Sequence, residues 1–174
     1  LAPGQIVSVT NVTLLMAEIC GAHELYQSLG DGPAFGKIRT RLLQVDKTIK
    51  SNGGATVKVV GDGVLATFQD SESATGAITA LLTSANETLP LRMALHRSSA
   101  LVTTLNDRLD YFGEALHLLR TMLHMAEANE LILTASVLPI RGAAGGFKLN
   151  GLQAVPLEQI VADSATITYR CQPA

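Results

Sequence analysis

The chain has 174 residues, of which 47% are hydrophobic and 16% are charged, and its formal net charge is −2. This length predicts one globular domain, and the mean hydropathy of +0.28 suggests that some apolar surface covers a partner subunit. Because the charge is near zero and no basic run exceeds two residues, neither nucleic acid nor an anionic membrane is an expected partner. No apolar run is long enough to predict a membrane-spanning helix.

The two cysteines, Cys20 and Cys171, lie near opposite ends of the chain and lack the spacing of a metal site. We expect them to be reduced thiols, as in cytoplasmic proteins. The sequence begins at Leu1 rather than at methionine. We therefore expect residues 1–174 to form a single cytoplasmic domain excised from a longer protein.

The first third of the chain predicts a strand followed by a helical region. Residues 12–17 form an apolar run typical of a buried strand, and a helical period follows from Glu24. This region should bend or break within residues 30–33, because Pro33 has no backbone N–H to donate, and it should end at residues 52–54. Its apolar face is predicted from four residues at helical spacing, Ile38, Leu42, Val45 and Ile49.

The rest of the chain predicts further helices and strands around one sheet. Helices are expected at residues 71–85 and about 111–126, strands at residues 91–96, 100–104, 131–134 and 165–170, and a small-residue loop at residues 141–146. With the hairpin described next, the order matches the split β-α-β-β-α-β pattern. We predict an α+β fold with a ferredoxin-like core, to which strands and a helix are added.

Residues 55–68 predict a β-hairpin, because two apolar runs flank Gly-Asp-Gly. The simplest interpretation is a turn-forming Asp62 and a Lys58 whose stem covers apolar surface at the sheet edge. A functional interpretation adds Glu18, which closes the first strand and should reach the same edge. Paired carboxylates can hold divalent ions that neutralise a polyphosphate, although Glu18 could equally be an ordinary exposed strand end.

Four segments together resemble the catalytic domain of class III adenylate/guanylate cyclases, over roughly residues 12–134. They occur in the family's order at ordinary spacing: Leu-Leu-Met-Ala-Glu-Ile-Cys-Gly at 14–21, Val-Lys-Val-Val-Gly-Asp-Gly at 57–63, Leu-Arg-Met-Ala-Leu-His at 91–96 and Asp-Tyr-Phe-Gly at 110–113. The resemblance implies conversion of ATP or GTP to the 3′,5′-cyclic nucleotide with release of pyrophosphate.

The resemblance also implies a metal and phosphate site. Two divalent ions, Mg²⁺ or Mn²⁺, would be held by Glu18 and Asp62. The backbone from Ile19 to Gly21 would contact the phosphates.

Base selection in the family depends on a lysine in the hairpin and an aspartate before the Phe-Gly turn. Lys58 and Asp110 occupy these positions, and this combination implies ATP rather than GTP as the substrate. In the family the site forms between two subunits, with metal residues from one chain and base-reading residues from the other. The resemblance therefore implies a homodimer.

Several positions depart from the family pattern. Glu18 stands where the family has aspartate, His117 where an asparagine orients the ribose, and Thr121 where an arginine stabilises charge on the reacting phosphorus. Arg120 is adjacent, but one residue along a helix rotates a side chain by about 100°. Asn150 stands where a basic residue is expected.

Each lost electrostatic stabiliser typically costs about 3–4 kcal/mol of transition-state stabilisation. We therefore expect slow adenylate cyclase activity, with His117 and Arg120 as the candidate catalytic residues. The alternative is a catalytically silent nucleotide-binding or dimerisation module in signal transduction.

Overall fold

The computed structural model describes residues 7–84, 89–105, 107–138, 147–149, 151–157 and 167–173. The strands in these ranges are β1 (Val7–Ile19), β2 (Ala55–Val60), β3 (Gly63–Phe68), β4 (Leu91–Leu105), β5 (Arg108–Phe112), β6 (Glu130–Thr134), β7 (Phe147–Leu149), β8 (Leu152–Leu157) and β9 (Thr168–Pro173). The α-helices are α1 (Ala22–Leu29), α2 (Asp31–Ser51), α3 (Ser71–Thr83) and α4 (Glu114–Met125).

The described strands form one mixed sheet in the order β2-β3-β1-β4-β6-β9-β8-β7, with β5 paired to β4. The first four positions give the spatial order of a ferredoxin-like β-α-β-β-α-β unit, so the predicted α+β core is confirmed. β4 and β6 are parallel, whereas the other described pairs are antiparallel. The prediction omitted β5, β7 and β8 as separate strands.

The sheet is covered by apolar side chains on both faces, as strand alternation requires. Leu15, Ala17 and Ile19 of β1 belong to the larger core, which includes buried residues of α1, α2 and α3. Leu14 of β1 belongs to a second core, with Leu119 and other buried residues of α4. The sheet therefore separates α4 from the other three helices.

Three predicted boundaries differ from the structure. The helical break falls at Gly30, which has a φ of 78°, and Pro33 is accommodated in the first turn of α2. β4 is one strand rather than two, because residues 97–99 stay paired with residues 11–13 of β1. α4 begins at Glu114 rather than near residue 111, because residues 110–112 of the Asp-Tyr-Phe-Gly motif belong to β5.

Parts of the sequence prediction fall on residues that the structure does not describe. The loop at residues 141–146 lies outside the described ranges, as do the first two residues of the strand predicted at 165–170. In the part that is described, β9 covers residues 168–170 and continues to Pro173. No helix among the described residues is long and apolar enough to cross a membrane.

A buried histidine on β4 should make the stability depend on pH. His96 is 8% exposed, and its Nδ1 lies 2.8 Å from the Thr134 hydroxyl of β6. Burial lowers the pKa of His96 below its usual value of about 6.5. Between the lowered and the usual pKa, the unfolded chain binds more protons than the folded one, so protonation favours unfolding.

We therefore expect the free energy of unfolding to fall as the pH is lowered from about 7.5 through 6.5 towards the folded-state pKa of His96. Urea denaturation at a series of pH values measures this dependence. His96→Gln should flatten it, whereas His23→Gln, which replaces an exposed histidine, should not. An unchanged pH dependence in His96→Gln would show that another group is responsible.

Candidate functional site

The hairpin tip is fixed against the end of β1 by close backbone packing. Glu18 pairs with Gly63, and the Ile19 N–H donates to the Asp62 carbonyl at 3.0 Å. A Cβ atom at Gly63 would lie 2.6 Å from the Ala17 carbonyl oxygen, so a side chain there would force the strands apart. The glycine after Asp62 therefore brings Glu18 and Asp62 to the same edge of the sheet, as the sequence predicted.

The carboxylate of Glu18 is held by an arginine that was not predicted to belong to the site. Arg92 is opposite Glu18 in the β1–β4 register, and its Nε lies 2.7 Å from Glu18 Oε2. The Arg92 Nη2 donates to the same oxygen. Both side chains are 29% exposed. In the sequence, Arg92 is a lone charge near the start of an apolar strand. Lys58 was identified as a candidate from the same pattern.

A cavity of about 160 Å³ lies between this edge and α4. Its lining includes Glu18, Val60, Arg120 and His124. Arg120 and His124 are one helical turn apart, so both side chains lie on the side of α4 that meets the cavity. Arg120 and Glu18 therefore line the same cavity.

His117 and Thr121 also depart from the family pattern on α4, and neither lines this cavity. His117 is exposed. The Thr121 hydroxyl donates to the His117 carbonyl at 3.1 Å, within the helix. Asn150 lies outside the described residues. The catalytic roles of His117 and Arg120 stay predictions.

The two carboxylates do not fit a two-ion site in this arrangement. Glu18 Oε2 accepts two guanidinium N–H groups, and it lines the cavity next to α4. Asp62 instead lines a separate groove beside α2. Nowhere in the described ranges do three His, Cys, Asp or Glu side chains form a group that could hold a metal ion. Binding of a divalent ion at Glu18 would have to compete with Arg92.

The expected phosphate-binding backbone is partly engaged within the chain. The Ile19 N–H donates to Asp62, and the Cys20 N–H donates to the Pro90 carbonyl at 2.8 Å. Gly21 has a φ of 77° and caps the N-terminus of α1 without a side-chain hydrogen bond. The backbone N–H groups in the first turn of α1 have no acceptor within the helix, so they are candidates for contact with an anion.

Lys58 and Asp110 are in direct contact although 52 residues separate them. The Lys58 Nζ lies 2.7 Å from Oδ1 and 2.8 Å from Oδ2 of Asp110, and 5.9 Å from the Phe112 ring centroid. The Tyr111 N–H also donates to Asp110 Oδ1, at 2.8 Å. One ammonium N–H and the remaining lone pairs of Oδ2 stay available to a ligand. The pair thus presents a donor beside an acceptor.

Comparison with solved structures identifies the fold. The guanylyl cyclase domain of the RhoGC fusion protein from Blastocladiella emersonii superposes with a TM-score of 0.77 at 14% identity, covering 96% of this chain and 97% of that one. The adenylyl cyclase CyaB from P. aeruginosa gives 0.73 at 16% identity, with 97% of both chains covered. The adenylate/guanylate cyclase/hydrolase from Silicibacter pomeroyi gives 0.68 at 20% identity, covering 95% and 98%.

This chain therefore has the fold of class III nucleotidyl cyclase catalytic domains, which confirms the resemblance at the level of structure. No protein-family model and no curated protein matches the sequence. The similar structures include both adenylyl and guanylyl cyclases, so the fold leaves the base undetermined.

Proposed function

We propose that this chain is a cytoplasmic nucleotidyl cyclase-like domain that binds ATP and converts it slowly to cyclic AMP. The observation that carries the proposal is the contact of Lys58 with both oxygens of Asp110. Adenine presents an acceptor at N1 and a donor at its 6-amino group, and guanine reverses this order on the same edge. A lysine donor beside an aspartate acceptor can therefore discriminate between the two bases.

The surface around this pair supports a homodimer. Val60 of β2 and Phe112 of β5 are 47% and 42% exposed, and Leu109 of β5 is 59% exposed. Large apolar side chains grouped around a polar pair are typical of a surface that a partner covers. In the proposed dimer, the base-reading pair of one subunit faces the Glu18 and Arg120 cavity of the other.

The ion pair of Glu18 supports the low rate. The carboxylate predicted to hold metal is neutralised by Arg92, and Thr121 stands where the family has an arginine. Arg120 lines the same cavity as Glu18, which supports it as the side chain that binds the triphosphate. The same ion pair favours a second candidate function, a nucleotide-sensing module that binds ATP without turnover.

The direct experiment measures nucleotide binding and product together. Calorimetric titration with ATP and with GTP, each with and without Mn²⁺, gives the affinities, and mass spectrometry of the same mixtures detects cyclic AMP. We expect ATP to bind more tightly than GTP and cyclic AMP to accumulate slowly. Binding of ATP without cyclic AMP would establish the second candidate. Equal affinity for ATP and GTP, or no binding, would refute the adenine site.

A further inference from the structure

A second polar groove lies on the opposite face of the sheet from the α4 cavity. It has a volume of about 360 Å³ and runs between α2 and Leu89, just before β4. Lys37, Thr40, Arg41 and Gln44 of α2 are among the residues that line it. None of the described lining residues is acidic.

Arg41 is a buried cation without an anionic partner among the described residues. It is only 4% exposed, although α2 is a surface helix. Its Nε donates to the Leu89 carbonyl at 3.2 Å, and its Nη1 lies 3.5 Å from the Gln44 side-chain oxygen. Among the described residues, none accepts a hydrogen bond from its Nη2 group, and no carboxylate lies within 4.0 Å of the guanidinium.

Burial of an unpaired guanidinium is unfavourable, because the charge loses its hydration without gaining a counter-charge. Burial accordingly lowers the pKa of Arg41 from its usual value. Lys37 adds a second positive charge one helical turn earlier, and like charges at this spacing repel each other. A bound anion would relieve both costs.

We propose that this groove binds the phosphate group of a small molecule, with Arg41 as the buried ligand and Lys37 as the second positive charge. The planar guanidinium can donate two parallel hydrogen bonds to phosphate oxygens, and the lysine can neutralise the remaining charge from the rim. The groove has room beyond the phosphate itself for part of the molecule that carries it. The site is separate from the ATP site, because α2 and α4 cover opposite faces of the sheet.

Inorganic phosphate is the probe for the test, with sodium chloride at the same ionic strength as the salt control. Phosphate should raise the melting temperature of the wild-type chain, because a ligand that binds only the folded state stabilises it. Arg41→Met should abolish most of this shift without lowering the melting temperature in the absence of phosphate. Lys37→Gln, at an exposed position, should weaken phosphate binding about tenfold in a calorimetric titration.

Arg39→Gln is the matched control, because Arg39 is an exposed arginine of the same helix that lines a different groove. It should retain the wild-type response to phosphate. Equal responses of the Arg39→Gln and Lys37→Gln variants would overturn the proposal, even if Arg41→Met failed to fold.

A carboxylate of the chain itself is the rival occupant. Glu87 belongs to residues 85–88, which the structure does not describe, and it precedes Leu89 by two positions. If wild type ignored phosphate and only Glu87→Gln bound it, the partner of Arg41 would be Glu87 and the proposal would be wrong. Binding by wild type that Glu87→Gln leaves unchanged would support it.

Discussion

Replacement of Lys58 by glutamate is expected to lower the affinity for ATP about a hundredfold and to remove the preference for ATP over GTP. The substitution deletes the proposed donor to the base and sets a second carboxylate against Asp110, whose two oxygens both accept from the lysine in the wild type. The hydrogen bond from Lys58 to adenine N1 and the one from the 6-amino group to Asp110 would both be weakened or lost. At about 1.5 kcal/mol each, these two charge-assisted hydrogen bonds account for a loss of this size. Calorimetric titration with the two nucleotides measures both effects.

Lys47→Glu provides the control for the change in net charge, because Lys47 is an exposed lysine on α2 and not on the hairpin. Its affinity for ATP should remain that of the wild type. Asp110→Asn should weaken ATP binding less than Lys58→Glu, since it retains an acceptor oxygen. If Lys58→Glu bound ATP as wild type does, Lys58 would have no role in binding the base and would only cover apolar surface at the sheet edge.

Arg92→Gln is expected to tighten Mn²⁺ binding about tenfold and to raise the rate of cyclic AMP formation. The arginine neutralises Glu18 through two hydrogen bonds to one oxygen, and its removal leaves a carboxylate that is 29% exposed and free to coordinate a cation. A tenfold change corresponds to about 1.4 kcal/mol, close to what a partly exposed ion pair contributes. Titration with Mn²⁺ and mass spectrometry of the product test the two parts.

Two variants identify the source of any gain. Glu18→Gln combined with Arg92→Gln should lose the tighter Mn²⁺ binding, because the liberated carboxylate is absent. Arg97→Gln removes a β4 arginine that bonds to the Thr13 hydroxyl and the Gln69 carbonyl instead of to an acid, so it should not tighten Mn²⁺ binding. If Arg92→Gln bound Mn²⁺ no better than wild type, the ion pair would not be what keeps Glu18 from binding a divalent ion.

Local sequence patterns were sufficient to predict the order of the core elements. Alternation and helical spacing depend on neighbouring residues, and the Gly-Asp-Gly turn fixes a hairpin without information from the rest of the chain. The same dependence on neighbouring residues explains why β4 was predicted as two strands instead of one. Residues 97–99 are polar and look like a break, and only their pairing with β1 keeps them in the sheet.

The four apolar positions predicted for α2 illustrate a second limit. Ile38, Val45 and Ile49 are buried as expected, but Leu42 is only partly buried and the neighbouring Arg41 is buried instead. Helical spacing defines a stripe to within one position, and the exact contact depends on what packs against the helix. Leu89, 48 residues further along, is the contact that covers Arg41.

The sequence alone determined the ferredoxin-like order and, through its resemblance to cyclases, the residues of the candidate site. The partner of each charge was decided by the tertiary structure. β5 pairs with β4 and brings Asp110 to Lys58 on the edge strand, whereas the β1–β4 register places Arg92 against Glu18. Electrostatic interactions act over a few ångströms between atoms that are distant in sequence, so strand register decides whether a carboxylate is free or already neutralised.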